Sequence, residues 1–225
     1  MTPPQTLVLP EQGDWRVRVV PNLYPAFERQ EVVVHGPRHI RSIAELADED
    51  VDLVAEAWRR RREAEPGGYL QALVNEGREA GSTLPHSHSQ LVWLPAPPPP
   101  EPELEGDVVL ERDGVVARSP RVARLAYELA IVPAEPEPDA LRSELLAPAL
   151  RLLVELVRLL QALEGPVPLN AWLYDGPEWR LVLFPRLSIL AGLELGAGVF
   201  VNPLPPEEAA ERLRNAKGRL PAASA

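Results

Sequence analysis

The sequence contains no cysteine, a single methionine and few aromatic residues among its 225 positions. The absence of cysteine excludes a disulfide framework, a thiolate nucleophile and a cysteine-ligated metal site. Apolar runs of membrane-spanning length are also lacking, because polar residues at helical spacing interrupt the most apolar stretch, residues 145–163. The first fifteen residues lack a basic region followed by an apolar stretch, so we expect a cytoplasmic protein.

The net charge of −10 weighs against a protein that binds nucleic acid by neutralising phosphates, since such a protein is basic on at least one face. The longest basic run, residues 59–62, lies inside a helical pattern and is typical of a solvated helix face. We therefore expect neither a nucleic-acid partner nor a membrane partner. The length and the 45% hydrophobic content are typical of one large globular domain or two small ones.

Alternating and helical patterns predict an α+β fold. The first half predicts strands at residues 15–20, 31–35, 69–75 and 86–94, and a helix at residues 48–64. Ser42 and Glu45 have the spacing of a capping box before that helix. A loop with two glycines, residues 76–85, separates the last two strands.

The second half repeats this order loosely. It predicts two short strands within residues 107–118, further strands at 126–132, 169–174 and 179–184, a long helix at 143–163 and a closing helix at 206–215. Both halves run strand, long helix, strand, turn, strand. This repeat predicts two modules, residues 1–97 and 107–225, each an antiparallel sheet with a packed helix, joined by a proline-rich linker at 98–106.

Two of the four histidines, His86 and His88, are two positions apart in a predicted strand and therefore share a face. Gln90 extends that polar row. The preceding loop contains Gly81 and hydroxyl residues, and such loops bring backbone N–H groups close to phosphate oxygens.

Three interpretations of the histidine pair remain open on spacing alone. The histidines could be ordinary hydrogen-bonded residues of an edge strand. They could be metal ligands, since His-x-His on a strand is a common ligand spacing. They could also serve nucleophilic catalysis at phosphorus, with an imidazole attacking a phosphate and Gln90 holding a phosphoryl oxygen.

The segment NEGREAGSTLPHSHSQ, residues 75–90, resembles the active-site segment of galactose-1-phosphate uridylyltransferases, the transferase branch of the histidine-triad superfamily. Its HSHSQ form is especially similar to plant-type ADP-glucose phosphorylases of that branch. Weaker similarities lie at residues 16–25, 36–46, 184–186, 192–194 and 207–214. The resemblance implies two histidine-triad-like modules and a nucleotidyltransferase with a ping-pong mechanism.

In this resemblance, His88 is the nucleophile toward the α-phosphate of a nucleotide sugar or dinucleoside polyphosphate. Phosphate or a sugar-1-phosphate then accepts the nucleotide from the histidine. Gln90 would hold the transferred phosphoryl group and His86 would support catalysis. Implied substrate-binding residues, several of which also fit ordinary loops or turns, are Asn75, Gly81, Ser82, Thr83, Asn22 and Tyr24. Two alternatives remain: a dinucleoside polyphosphate hydrolase, and a catalytically silent module that binds a nucleotide or a metal.

Related proteins often hold a structural zinc with two cysteines and two histidines, and His39 and His86 match the histidine ligands. Because cysteine is absent, we expect that zinc site to be lost, or rebuilt with carboxylates such as Glu11 or Asp14.

The second module departs from the family pattern. The His-x-His of its counterpart corresponds here to Arg180 and Val182, so we expect no second metal and a catalytically silent module. The resemblance also implies a homodimer, in which Arg186 and Glu194 contact substrate in the neighbouring subunit; a buried salt bridge is the alternative role for these two residues.

Overall fold

The computed structural model describes residues 4–99 and 104–219, so part of the predicted linker lies outside the described residues. Ten strands form one antiparallel sheet: β1 (Leu7–Leu9), β2 (Val17–Pro21), β3 (Gln30–Val34), β4 (Tyr69–Glu76), β5 (His88–Leu94), β6 (Gly106–Arg112), β7 (Val115–Pro120), β8 (Leu129–Pro133), β9 (Leu169–Tyr174) and β10 (Arg180–Pro185). The helices are α1 (Asp48–Ala64), α2 (Leu146–Glu164), α3 (Gly192–Ala197) and α4 (Pro206–Ala216). The predicted α+β class is confirmed.

The strand order is β1-β2-β3-β5-β4-β9-β10-β8-β7-β6. Each half therefore contributes five neighbouring strands in the same internal order, with a long helix between its third and fourth strands. The halves meet where β4 pairs with β9, from Leu73 opposite Trp172 to Glu76 opposite Leu169. One sheet and one connected hydrophobic core thus run through both halves.

The long helices cover one face of this sheet, because α1 and α2 pack against each other and against its strands. Alternate strand residues point to that face and are fully buried, as Val33, Ala72 and Leu91 show. The residues between them point to the other face, which carries His88 and Gln90. The polar row predicted from the sequence therefore lies on the sheet face opposite the helices.

A buried ion pair ties α1 to the sheet. The Arg61 guanidinium donates to both carboxylate oxygens of Glu31 on β3, at 2.8 and 3.0 Å. Both side chains are less than a tenth exposed. Arg29 reaches the same carboxylate at 3.2 Å from its more exposed position. Two desolvated charges are held in place by several hydrogen bonds, which is the condition under which a buried pair is tolerated.

Local signals located most elements correctly. Helix α1 has the predicted bounds, and Ser42 and Glu45 form the predicted capping box, here on a 3-10 helix, Ile43–Glu45. The strand expected at residues 86–94 begins instead at His88, since Pro85 lies just before His86 and the pairing with β3 starts at His88 opposite Val34. Strand β1 and helix α3 were not predicted. Among the described helices, none has the length and apolar character needed to cross a membrane.

Candidate active site

The first residue of β5, His88, is 5% exposed and held in a fixed orientation. Its Nδ1 lies 2.9 Å from the backbone carbonyl oxygen of His86. A carbonyl oxygen only accepts, so Nδ1 donates the hydrogen. In the neutral ring, the other nitrogen, Nε2, then carries the free electron pair. This is the tautomer that a nucleophilic imidazole requires.

Two clefts meet at this histidine. The larger, about 720 Å³, is lined by six of the predicted site residues: Asn75, Gly81, Ser82, Thr83, His86 and His88. The smaller, about 310 Å³, lies against β2 and β3 and is lined by Trp15, Arg18, Val32, Val34 and the same two histidines. A substrate with a phosphate at His88 therefore has the more polar of the two clefts on one side and the more apolar one on the other.

The loop between β4 and β5 forms one wall of the larger cleft. Gly77 has φ +85°, and a Cβ there would lie 2.8 Å from the Cβ of Pro168 in the second half. Glycine is thus required at this position by both conformation and space. A short 3-10 helix, Arg78–Ala80, follows, and the Ser82 hydroxyl donates to the carbonyl of Leu84. The loop is folded back on itself by its own hydrogen bonds.

Three arginines of the clefts were not singled out from the sequence. Arg41 and Arg78 line the larger cleft, and Arg18 lines the smaller one. The Arg18 guanidinium stacks on Trp15 at 4.6 Å, and its buried Nε has no hydrogen-bond partner among the described residues. The alternating pattern of β2 could have indicated Arg18 from the sequence. In the sheet, Arg18 pairs with Val34 and Val34 pairs with His88, so these three residues share a sheet face. The positive charge of these three arginines favours the binding of an anionic ligand in the clefts.

Asn75, which lines the larger cleft, and Gln90, which lines neither cleft, each contact another amide. Gln30 on β3 donates from Nε2 to Oε1 of Gln90. Asn170 on β9 donates from Nδ2 to Oδ1 of Asn75, at 2.7 Å. Asn170 also accepts from Arg186, at 3.2 Å. Arg186 is therefore connected to the site of its own chain through Asn170.

The remaining predicted substrate residues lie away from the clefts. The Asn22 carboxamide accepts from the backbone N–H of Tyr24, whose side chain is 85% exposed. Glu194 accepts from the backbone N–H of Ala191, at the start of α3. None of these three lines either cleft. Their predicted contacts with substrate stay predictions.

Beneath the histidines, on the helix-covered face, a polar network is fully buried. The two ring nitrogens of His35 lie 3.0 and 3.1 Å from the hydroxyls of Ser87 and Ser89. Ser89 also accepts from the indole N–H of Trp58 on α1, at 2.9 Å. Both serines of the HSHSQ segment are thus anchored to the core. Burial, with smaller contributions from His88 and His86, lowers the pKa of His35 to about 3.

The His35 pKa predicts acid sensitivity of the fold. Between pH 6.5 and about 3 the unfolded chain binds a proton at His35 and the folded chain does not, so acid favours unfolding. The free energy of unfolding should fall by up to about 1.4 kcal/mol per pH unit below 6.5 from this group. Urea unfolding at pH 7, 6 and 5 should show a shallower fall for His35→Gln. Equal slopes in both proteins would contradict the assignment.

The zinc site implied by the family resemblance does not fit the residues present. His39 and His86 face each other with their Nδ1 atoms 3.3 Å apart, and burial and the nearby His39 lower the pKa of His86. Structural zinc needs four ligands. Within residues 4–99 and 104–219 no group of three or more His, Asp or Glu side chains could hold a metal ion. Glu11, one of the suggested replacements, instead pairs with Arg60.

Known proteins are similar to this chain in sequence. Residues 25–96, which include both histidines and the loop, match the family model of the galactose-1-phosphate uridyl transferase N-terminal domain. The chain is 24% identical to ADP-glucose phosphorylase of Arabidopsis thaliana, over 94% of this chain and 78% of that protein. It is 24% identical to galactose-1-phosphate uridylyltransferase of Thermotoga maritima, over 82% of this chain and 73% of that one.

The fold is similar as well. A crystal structure of an Arabidopsis thaliana ADP-glucose phosphorylase with bound ADP-glucose superimposes with a TM-score of 0.87, at 21% identity, over 95% of this chain and 86% of the other. The predicted resemblance to the galactose-1-phosphate uridylyltransferase-like proteins is therefore confirmed. The two curated relatives are enzymes of the nucleotidyltransferase type.

Proposed function

We propose that this protein is a nucleotidyltransferase that moves a nucleoside monophosphate from a nucleotide sugar to a phosphate-bearing acceptor. The observation that carries the proposal is the hydrogen bond from His88 Nδ1 to the carbonyl of His86, at 2.9 Å. It leaves Nε2 as the nucleophile at the junction of the two clefts. The relatives named ADP-glucose phosphorylase and galactose-1-phosphate uridylyltransferase support the substrate class.

The reaction proceeds in two displacements at phosphorus. The electron pair of His88 Nε2 forms a bond to the α-phosphorus, and the bond from that phosphorus to the bridging oxygen breaks. The sugar-1-phosphate leaves with that electron pair. A phosphate oxygen of the acceptor then attacks the same phosphorus and the N–P bond breaks, which restores the imidazole. Donation from Nδ1 to the His86 carbonyl stabilises the positive charge that develops on the ring.

The neighbouring groups have roles in this scheme. Gln90, two residues along β5, donates to an oxygen of the transferred phosphoryl group. Asn75, Ser82 and Thr83 bind the departing sugar phosphate in the larger cleft, which Arg41 and Arg78 make favourable for anions. The smaller cleft, with Trp15 and apolar valines, accepts the nucleoside.

The two halves have different roles in this proposal. The first, residues 1–97, is the catalytic module, and the second, residues 107–225, is a degenerate copy with Arg180 and Val182 at the positions of the histidine pair. The shared strand order of the halves supports this division. A homodimer is part of the proposal: three apolar residues near Glu194 in the chain, Ile189, Leu193 and Leu195, are at least half exposed and offer an apolar contact to a second copy. The cytoplasmic location stays a prediction.

Intact-protein mass spectrometry tests the function. We expect a mass increase of one nucleoside monophosphate after mixing the protein with UDP-glucose, UDP-galactose, ADP-glucose or diadenosine tetraphosphate. The donor that labels the protein identifies the base, and added phosphate or sugar-1-phosphate should remove the label. Release by water at the same rate would indicate a hydrolase instead. A protein that binds a donor but is never labelled would support the silent-module alternative and contradict the proposal.

A further inference from the structure

The orientation of the site's two amides is set by residues outside the proposed catalytic and binding set. Gln90 and Asn75 can each present either an oxygen acceptor or an NH₂ donor to a ligand. Only the NH₂ group suits the oxygens of a phosphate. The hydrogen bonds from Gln30 and Asn170 determine which group remains free.

For Gln90, a backbone group fixes the choice. The Oε1 atom of Gln30 accepts from the backbone N–H of Ala26, at 2.8 Å. A backbone N–H only donates, so Gln30 has one orientation, with its Nε2 toward Gln90. Gln90 must then accept this hydrogen bond with Oε1. The two N–H groups of Gln90 Nε2 are left for another partner.

For Asn75, the choice is fixed twice. Nδ2 of Asn170 donates to the backbone carbonyl of Ala80 at 2.8 Å, and a carbonyl only accepts. Oδ1 of Asn170 accepts from the Arg186 guanidinium, which only donates. Asn170 therefore donates from Nδ2 to Asn75, and Asn75 accepts with Oδ1. Asn75 lines the larger cleft, and its NH₂ group is again the group left free of partners among the described residues.

We propose that Gln30 and Asn170 are positioning residues that hold Gln90 and Asn75 with their NH₂ donors available to the substrate. The inference rests on the proposed function for the identity of that substrate. It gives the second half a role in the site of the same chain, since Asn170 and Arg186 lie on or directly after strands of that half. The two positioning residues have different effects. Gln30 acts through Gln90 on the transferred phosphoryl group, and Asn170 acts through Asn75 on donor binding.

At Gln30, two substitutions of similar length, Gln30→Glu and Gln30→Met, distinguish a positioning role from a merely structural one. Gln30→Glu still accepts from Ala26 but cannot donate, so Gln90 turns its NH₂ toward the introduced carboxylate and its oxygen toward the phosphoryl group. Gln30→Met leaves Gln90 able to rotate. We expect the single-turnover rate of protein labelling to fall about 100-fold for Gln30→Glu and less than about tenfold for Gln30→Met. A merely structural role predicts the larger loss for Gln30→Met, which removes both hydrogen bonds, in step with a lower Tm.

At Asn170, the matched pair is Asn170→Asp and Asn170→Ala. The charge of the aspartate is offset by Arg186, yet the aspartate cannot donate to Asn75 and so reverses its amide. Calorimetry with the labelling donor in a His88→Gly background measures binding without chemistry. We expect Kd to rise about tenfold for Asn170→Asp and about threefold for Asn170→Ala, with an unchanged single-turnover rate at saturating donor in the protein that retains His88.

The controls separate this inference from the proposed function. Labelling of the wild-type protein together with equal losses from both substitutions at each position would overturn the inference alone. The same conclusion follows if Gln30→Met is slower than Gln30→Glu. A wild-type protein that neither binds nor is labelled by any of the four donors would overturn the inference together with the function on which it rests.

Discussion

Replacing His88 by alanine should abolish nucleotidyl transfer while leaving donor binding in place. The substitution removes the only protein atom proposed to bond to phosphorus, and it spares the clefts, whose other walls come from β2, β3, β4 and the loop before β5. Loss of a covalent nucleophile typically costs at least about 10⁴-fold in turnover. We expect no mass adduct with any donor, and a Kd by calorimetry close to that of the wild-type protein.

Peptide mapping would show which residue carries the nucleotide adduct. The wild-type adduct should lie on the peptide that contains residues 86–90, and it should be absent from His88→Ala. An adduct of equal yield in the variant would assign the nucleophile to another residue, and His86 would be the first to examine, since it lines both clefts. An unchanged Tm would exclude unfolding as the cause of the lost activity.

Replacing Arg61 by alanine should destabilise the fold more than any other arginine substitution on α1. It leaves the Glu31 carboxylate, only 3% exposed as a residue, with the single more exposed partner Arg29. Removing one member of a buried pair costs about 3–5 kcal/mol, because the other charge stays desolvated. The free energy of unfolding in urea should fall by about that amount, with a similar m-value.

Arg60 is the matched control on the same helix. It pairs with Glu56 at 2.6 Å and with Glu11, but its side chain is 38% exposed. Exposed pairs of this kind contribute at most about 1 kcal/mol. Arg60→Ala should therefore cost far less than Arg61→Ala. Equal losses for the two variants would show that the burial of the Glu31 pair has no energetic weight.

The elements that the sequence predicts well are those with a local cause. The 3.6-residue periodicity of α1 and the alternation of β4 need no distant partner. The capping box at Ser42 depends on residues three positions apart. Strand β1 was missed because three residues give too short an alternation, and α3 because its six residues have almost no buried face.

The parts of the site that were missed depend on long-range contacts. Gln30 and Gln90 are far apart in the chain and meet only because β3 pairs with β5. Asn170 and Asn75 meet only across the β4–β9 pair. The sequence pattern marks each of these strands, but no local signal states which strands become neighbours. Family resemblance located His88 and Asn75, whereas their supporting residues required the sheet register.

The β4–β9 junction has a consequence during protein synthesis. Strand β4 leaves the ribosome roughly 100 residues before β9, which is about 5–20 s at ordinary elongation rates. For that time the nascent first half carries both candidate catalytic histidines, His86 and His88, while the β4 edge of its sheet has no partner. An open edge invites pairing with other chains. We therefore expect the ribosome-bound intermediate to be the stage most prone to strand pairing with other chains, and the contact between Asn170 and Asn75 can form only once Asn170 has been synthesised.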